Sequence, residues 1–162
     1  MAVVDSSAII PLARSGNLYL LEELFGTVYT VEKVRDETVQ QGKRGSSTIN
    51  GAFGELIRVE EPDSEEEKIP ELENVGKVDA RIILLAEERE EILLANDRAL
   101  IKVARARGVE SIWPTTVVMK SVKRGVIQSE EGKSAIRQMV SEGMNLSTVI
   151  YDRVIRKIES YD

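Results

Sequence analysis

An open three-layer α/β/α sandwich, with a mainly parallel central sheet of roughly five strands, is the fold class this chain predicts, and three observations carry it. Short β-branched runs alternate with stretches of helical spacing along the whole length, the pattern of repeated βαβ units. No two-residue Asn-Gly turn joins one strand run to the next, so the strands are linked by crossovers rather than hairpins. The opening apolar run Ala2-Val3-Val4 stops on Asp5-Ser6-Ser7 and continues as a helix. An acid at the carboxyl end of a buried parallel strand stands where open α/β sheets place their ligands, which makes Asp5 the first site candidate.

Taken in order, the first strand lies at 3–4, and helices at 8–14 and 18–25 are separated by Ser15-Gly16-Asn17. The β-branched and aromatic run 27–31 is the second strand, followed by a helix from 32 to about 41 that Gly42 ends. Small residues at 46–54 lead into a third strand at 56–59. The acid-rich stretch between Pro62 and Pro70 predicts a loop or ragged helix, the place where disorder is most expected. Val75, Val78, Ile82 and Leu85 recur at helical spacing, so 76–90 forms an amphipathic helix facing the core. A buried strand at 92–95, a helix at 98–107 stopped by Gly108, and a short strand at 111–113 come next. Helices near 116–123, 130–141 and 147–159 close the chain, the last with Ile150, Val154 and Ile158 on one stripe. The 162 residues fit one domain, with an acidic loop near 60–73 and C-terminal helices over 130–160.

Composition narrows the chemistry. The chain has no cysteine, which excludes disulfides, thiolate zinc sites and a cysteine nucleophile. It has no histidine either, which removes the commonest general base, every Ser/His dyad and all imidazole ligands. Catalysis must then run on carboxylates, hydroxyls, lysine, tyrosine or a metal, and a hard cation held by oxygen is the natural choice. No signal-peptide pattern and no bilayer-length apolar stretch is present, so the expected location is cytoplasmic, with no membrane partner. Abundant Glu, Lys, Arg and Ile with scarce Cys, His and Gln is compatible with an archaeal or thermophilic source.

The net charge of −6 is unevenly distributed. Residues 60–73 hold eight acids and one base, a local charge of −7 that exceeds the total. Residues 98–137 hold nine bases against Glu110, Glu130 and Glu131. Such a basic region suits phosphate binding whatever the global charge, although a solvated helix surface has the same composition.

Four acids occupy similar topological positions. Asp5 ends the first strand, Glu37 lies in the helix after the second, Asp79 opens the helix leading to the fourth, and Asp97 comes after that strand, next to Asn96. In a doubly wound sheet such strand ends and helix starts converge on one edge. Four carboxylates in one cleft repel unless protons or a divalent cation neutralise them. Each also has a structural explanation: Asp97 as a helix N-cap, Asp79 as a first-turn acid answering the helix dipole, and Glu37 as a surface residue beside Arg35 and Asp36.

Four segments, Val4-Asp5-Ser6-Ser7-Ala8, Val31-Glu32-Lys33-Val34-Arg35-Asp36-Glu37, Val75-Gly76-Lys77-Val78-Asp79-Ala80 and Leu94-Ala95-Asn96-Asp97-Arg98-Ala99, resemble in order and spacing the acidic motifs of PIN-domain ribonucleases. The likeness covers nearly the whole chain. It extends to the prokaryotic VapC-like PIN proteins, whose final segment is similar to Lys120-Ser121-Val122-Lys123-Arg124-Gly125-Val126-Ile127 and to the helix after Asn145-Leu146-Ser147. The resemblance makes Asp5, Glu37, Asp79 and Asp97 the catalytic acids and ligands of Mg²⁺ or Mn²⁺, with Ser6 and Asn96 in support. Two departures stand out: Val31 where the family usually has proline, and Trp113-Pro114-Thr115-Thr116 where many relatives have Gly-Thr or another acid, so that Thr115 or Thr116 fills that place.

The expected activity is that of a metal-dependent endoribonuclease acting on RNA. Two ions about 3.5–4 Å apart can activate water and stabilise the leaving oxygen without a histidine. Arg98, Lys102, Lys120, Lys123 and Arg124 are the candidates for phosphate contacts. The resemblance further implies a homodimer and, for toxin members, a small antitoxin partner. A catalytically silent PIN-like RNA-binding or regulatory module is the main alternative. A phosphoacceptor domain fits poorly, because Ser7 stands where haloacid-dehalogenase chemistry wants a second acid and no acidic pair opens the first strand as a receiver domain requires.

Overall fold

The computed structural model describes residues 1–162. Five parallel strands, β1 (Ala2–Val4), β2 (Val28–Thr30), β3 (Ile57–Val59), β4 (Ile92–Leu94) and β5 (Ser111–Ile112), form one sheet in the order β3-β2-β1-β4-β5. β1 is central because its Ala2, Val3 and Val4 are wholly buried and leave no polar side chain to face solvent. The chain leaves β1 toward β2 and β3, then returns to β4 on the opposite side. The strand order therefore reverses between β1 and β4, the switch point at which open sheets open a crevice.

Helices α1 (Ser6–Arg14), α2 (Tyr19–Phe25), α3 (Glu32–Thr38) and α4 (Ser46–Ala52) connect β1 to β2 and β2 to β3, and α1 packs on both α3 and α4. α5 (Lys77–Arg89) packs on β1 and β4, and α6 (Arg98–Ala106) on β5. Right-handed crossovers running in opposite directions from β1 put these two on the other face, which completes the three layers. α7 (Pro114–Lys123), α8 (Ser129–Ser141) and α9 (Thr148–Glu159) gather on the first face through α2·α7, α1·α8 and mutual contacts. The apolar side chains of both faces join in one contiguous cluster, so the sheet and its two helical layers share a core.

Two regions differ from expectation. Residues 46–52 form α4 rather than an irregular lead-in; only Ile49 of this small-residue stretch is buried, too little to give a readable period. The acidic stretch is a loop with ragged helical turns, as expected, but it is held in place. It carries two short 3₁₀ turns, Glu66–Lys68 and Pro70–Leu72, and is fastened to α5. Arg81 pairs with Glu61 at 2.7 Å and with Glu66 at 2.8 Å, and Arg89 pairs with Glu60 at 2.8 Å. Glu88 accepts from the backbone N–H groups of Asp63 and Ser64, both at 2.8 Å. Much of the local excess of acid is thus taken up by bases of α5, while the bases at 98, 102, 120, 123 and 124 form no ion pairs.

Close packing on the first face depends on Gly132. A Cβ there would lie 2.5 Å from Val122 Cγ2, so α7 and α8 approach more closely than any side chain permits. No helix is long and apolar enough to cross a membrane.

Candidate active site

Asp5 is 6 % exposed and sits immediately after β1, where its backbone N–H donates to Leu94 O at 3.0 Å and so ties it to the end of β4. Its extended backbone (φ −91°, ψ 158°) makes it the N-cap of α1. An N-cap side chain accepts from the second or third helical N–H, which selects the residue two positions on. Accordingly Ser7 donates to Asp5 Oδ2 twice, from its backbone N–H at 3.0 Å and from its hydroxyl at 2.5 Å. The hydroxyl expected beside the acid was Ser6, but Ser6 starts the helix and its side chain makes no hydrogen bond. Ser7 Oγ in turn accepts from the backbone N–H of Asn96 at 2.9 Å. One hydroxyl therefore locks the ends of β1 and β4 across the switch point.

Asp97 is the N-cap of α6, and its Oδ1 accepts from Leu100 N at 3.1 Å. The capping role expected for it is real, and one oxygen remains for other work. Asp79 lies in the first turn of α5 and is half-buried. Glu37 lies in the last turn of α3, also half-buried; Arg35, two residues before it in the same helix, pairs with Glu32. The four acids act on one another. Burial, followed by the charges of Asp5, Asp97 and Glu37, pushes the Asp79 carboxyl from its ordinary 3.8 up to about 6. Such a shift means that ionising Asp79 is unfavourable, first because it is partly buried and then because three acids stand near it.

The donor set is all oxygen and suits a hard divalent cation. No three of these acids stand close enough together to hold one ion in common. Fewer direct carboxylates with water completing the shell is the arrangement Mg²⁺ accepts, so the residues fit such an ion without a ready-made cage.

Beside the acids opens a cleft of about 430 Å³ between the β4–α6 turn, the β5–α7 turn and the α8–α9 connection. Asn96, Arg98, Trp113, Thr115, Asn145 and Ser147 are among its lining residues. Asn96 Nδ2 donates to Asn145 O at 3.5 Å and so ties the β4–α6 turn to the α8–α9 connection. Arg98 is exposed at the first position of α6, where a cation opposes the helix dipole by about 0.3–1 kcal/mol. Local structure gives no reason for it there.

The remaining expected residues divide between the cleft and the outer surface. Thr115 is buried and lines the cleft, whereas Thr116 does not; the backbone N–H of Thr116 closes the first turn of α7 onto Trp113 O at 2.9 Å. Lys102 is exposed one turn beyond Arg98, outside the cleft. Lys120 and Lys123 occupy the last turn of α7 and Arg124 caps it, about 8–15 Å along the helix from its start. None of the three lines the cleft, and their charges favour the negative end of the α7 dipole. Sequence reasoning missed Ser7, Trp113 and the side chains of Asn145 and Ser147 as part of this edge. The signal for Ser7 was available in the capping rule, but the approach of 145–147 to β4 depends on tertiary packing.

No curated protein and no solved structure matches the chain. The family model described as a PIN domain matches residues 1–160. PIN domains are generally nucleases and generally use divalent metals. With five parallel strands, acids at the carboxyl edge and a match that spans all but the last two residues, the chain belongs to the PIN-domain family.

Proposed function

We propose that the protein is a metal-dependent endoribonuclease that hydrolyses RNA phosphodiester bonds with Mg²⁺ or Mn²⁺. The observation that supports this most is that Asp5, Asp97 and Glu37 stand near enough to Asp79 for their charges to add to its burial in raising that carboxyl to about 6. When bound, a divalent cation supplies positive charge that polarises the scissile phosphate and lowers the pKa of attacking water. The chain's own part is positional. Ser7 fixes Asp5 Oδ2 and leaves Oδ1 for ligation; the Leu100 N–H fixes Asp97 Oδ1 and leaves Oδ2. Asp79 and Glu37, with no side-chain hydrogen bonds of their own, would complete the set through water. Arg98 would hold the strand by its backbone phosphate.

The test is cleavage of a single-stranded RNA by the protein with Mn²⁺, with chelator, and by the Asp5→Asn variant. Cleavage with Mn²⁺ alone, lost on chelation and in the variant, supports the proposal. Equal traces for protein and variant remove it.

A second reading is a silent PIN-fold RNA-binding or regulatory module. It is favoured by the fact that Asp5 and Asp97 each have a structural use as an N-cap. RNA binding without turnover under the same conditions would select it. Toxin activity, a homodimer and a small antitoxin partner belong to the proposal through the sequence resemblance alone, and sedimentation with and without co-expressed neighbouring gene products would test them.

A further inference from the structure

We propose that the cleft beside the acids is a pocket for one unpaired nucleobase, so that the enzyme selects single-stranded or looped RNA by drawing in the nucleotide next to the scissile phosphate. This rests on the nuclease reading of the acid cluster. Four observations carry it. The cleft adjoins the acids without being lined by them: Asn96 and Arg98, which flank Asp97, lie on its wall, and Asn96 bonds through its N–H to the hydroxyl that holds Asp5. Its volume of about 430 Å³ falls within the range of small-ligand pockets, about 300–1,000 Å³.

The wall chemistry is that of base recognition. Trp113, the only tryptophan in the chain, lies on it and is partly exposed, and an indole face is a sequence-tolerant platform for a base. Arg98 stands on the same wall with no acidic partner, free to take the flanking phosphate. Asn96 and Asn145 also lie on the wall, and an asparagine amide carries the donor and acceptor that read a base edge; the Asn96 Nδ2 bond to Asn145 O, at 3.5 Å, is long. Thr115 supplies the fourth observation. The residue is only 5 % exposed, yet its hydroxyl makes no hydrogen bond within the protein and is not shut off from solvent, and Thr115 lies on the cleft wall where a ligand can reach it. A duplex cannot offer a base to such a pocket without unstacking it, which is why the pocket favours unpaired strands.

Because Trp113 is the sole tryptophan, its emission reports the pocket alone. The experiment mixes the full-length protein with a single-stranded octaribonucleotide in Mg²⁺ by stopped flow, reads tryptophan emission before turnover, and runs the same mixture on a gel afterwards. A blunt RNA duplex and a strand abasic at its centre serve as comparison probes. The proposal expects saturable quenching by the single strand, none by the duplex, and apparent affinity about tenfold weaker for the abasic strand, within the range that stacking supplies. Arg98→Ala should weaken binding about fivefold and flatten its salt dependence while the quench at saturation persists. Binding seen by anisotropy with unchanged tryptophan emission, equal quenching by duplex, or no binding at all overturns the pocket. Cleavage on the gel in those cases leaves the nuclease reading standing; quenching without cleavage does the reverse.

Discussion

The hydroxyl of Ser7 is bonded to the carboxylate of Asp5 at 2.5 Å, and through its acceptance of the Asn96 N–H it joins the ends of the two strands that flank the switch point. Ser7→Ala removes both bonds and leaves that N–H without its partner, a cost of about 1–3 kcal/mol. It also frees the Asp5 carboxylate, and loss of an orienting partner typically costs about 10–100-fold in metal affinity or activity. Ser6→Ala should change stability by no more than about 0.5 kcal/mol. Thermal melts and RNA-cleavage rates of the two variants side by side check this, and equal effects would contradict it.

The Asp79 carboxyl, raised to about 6, makes the metal-free protein pH-sensitive in a defined direction. Its folded value lies above the ordinary 3.8, so between about 4 and 6 the folded state holds the proton more tightly than the unfolded state. Stability therefore falls as pH rises through that window. Above it, ionised Asp79 costs about 1–2 kcal/mol once solvent screening of a half-buried site is allowed for. Asp79→Asn should raise the Tm in chelator at about pH 7.5 and lose that advantage near pH 4. Added Mg²⁺ should raise the Tm of the unaltered protein and leave the variant less affected.

Arg81 holds the acidic strap through Glu61 and the nearly buried Glu66, with Lys77 a second partner to Glu66 at 3.4 Å. The Glu66 carboxyl is kept below its ordinary 4.5 chiefly by its own backbone N–H, against burial, and then by Arg81 and Lys77. This contribution is present above about pH 4.5 and disappears as pH falls through the lowered value. Arg81→Ala should destabilise the protein by about 1–3 kcal/mol and speed backbone amide exchange at 60–73. Exchange in the strap that is unchanged by the substitution would show that the ion pairs do not hold it.

Gly132 lets α7 and α8 meet, and the connection from α8 to α9 supplies the far wall of the cleft. Gly132→Ala sets a methyl against Val122, a stiff β-branched side chain, and overpacking of this kind costs about 1–3 kcal/mol. Val122→Ala should recover part of the loss when combined with it. A double-mutant cycle by chemical denaturation measures the coupling, and additive effects would contradict close contact at this point.

Much of the fold was legible because β1, β2 and β4 are short apolar runs that end on polar or acidic residues, and because α5 carries a clear apolar stripe. α4 was not, since one buried side chain gives no period. The acid cluster was legible as four strand-end and helix-start positions. The partner of Asp5 was misassigned by one residue, because adjacency in sequence suggested Ser6 where capping geometry selects Ser7. The acidic strap looked loose because its bases, Arg81 and Arg89, lie 15 to 29 residues away in the chain. Lys120, Lys123 and Arg124 form a basic region with Arg98 in the sequence, yet helix geometry carries them away from the cleft.

Whether the four carboxylates form one cation site is decided most directly by anomalous diffraction from crystals soaked in Mn²⁺. A peak beside Asp5 and Asp97, with Asp79 or Glu37 joined to it through water, is the predicted result. A map with no peak at the carboxyl edge, or with manganese bound only elsewhere while RNA is still cleaved, would contradict it.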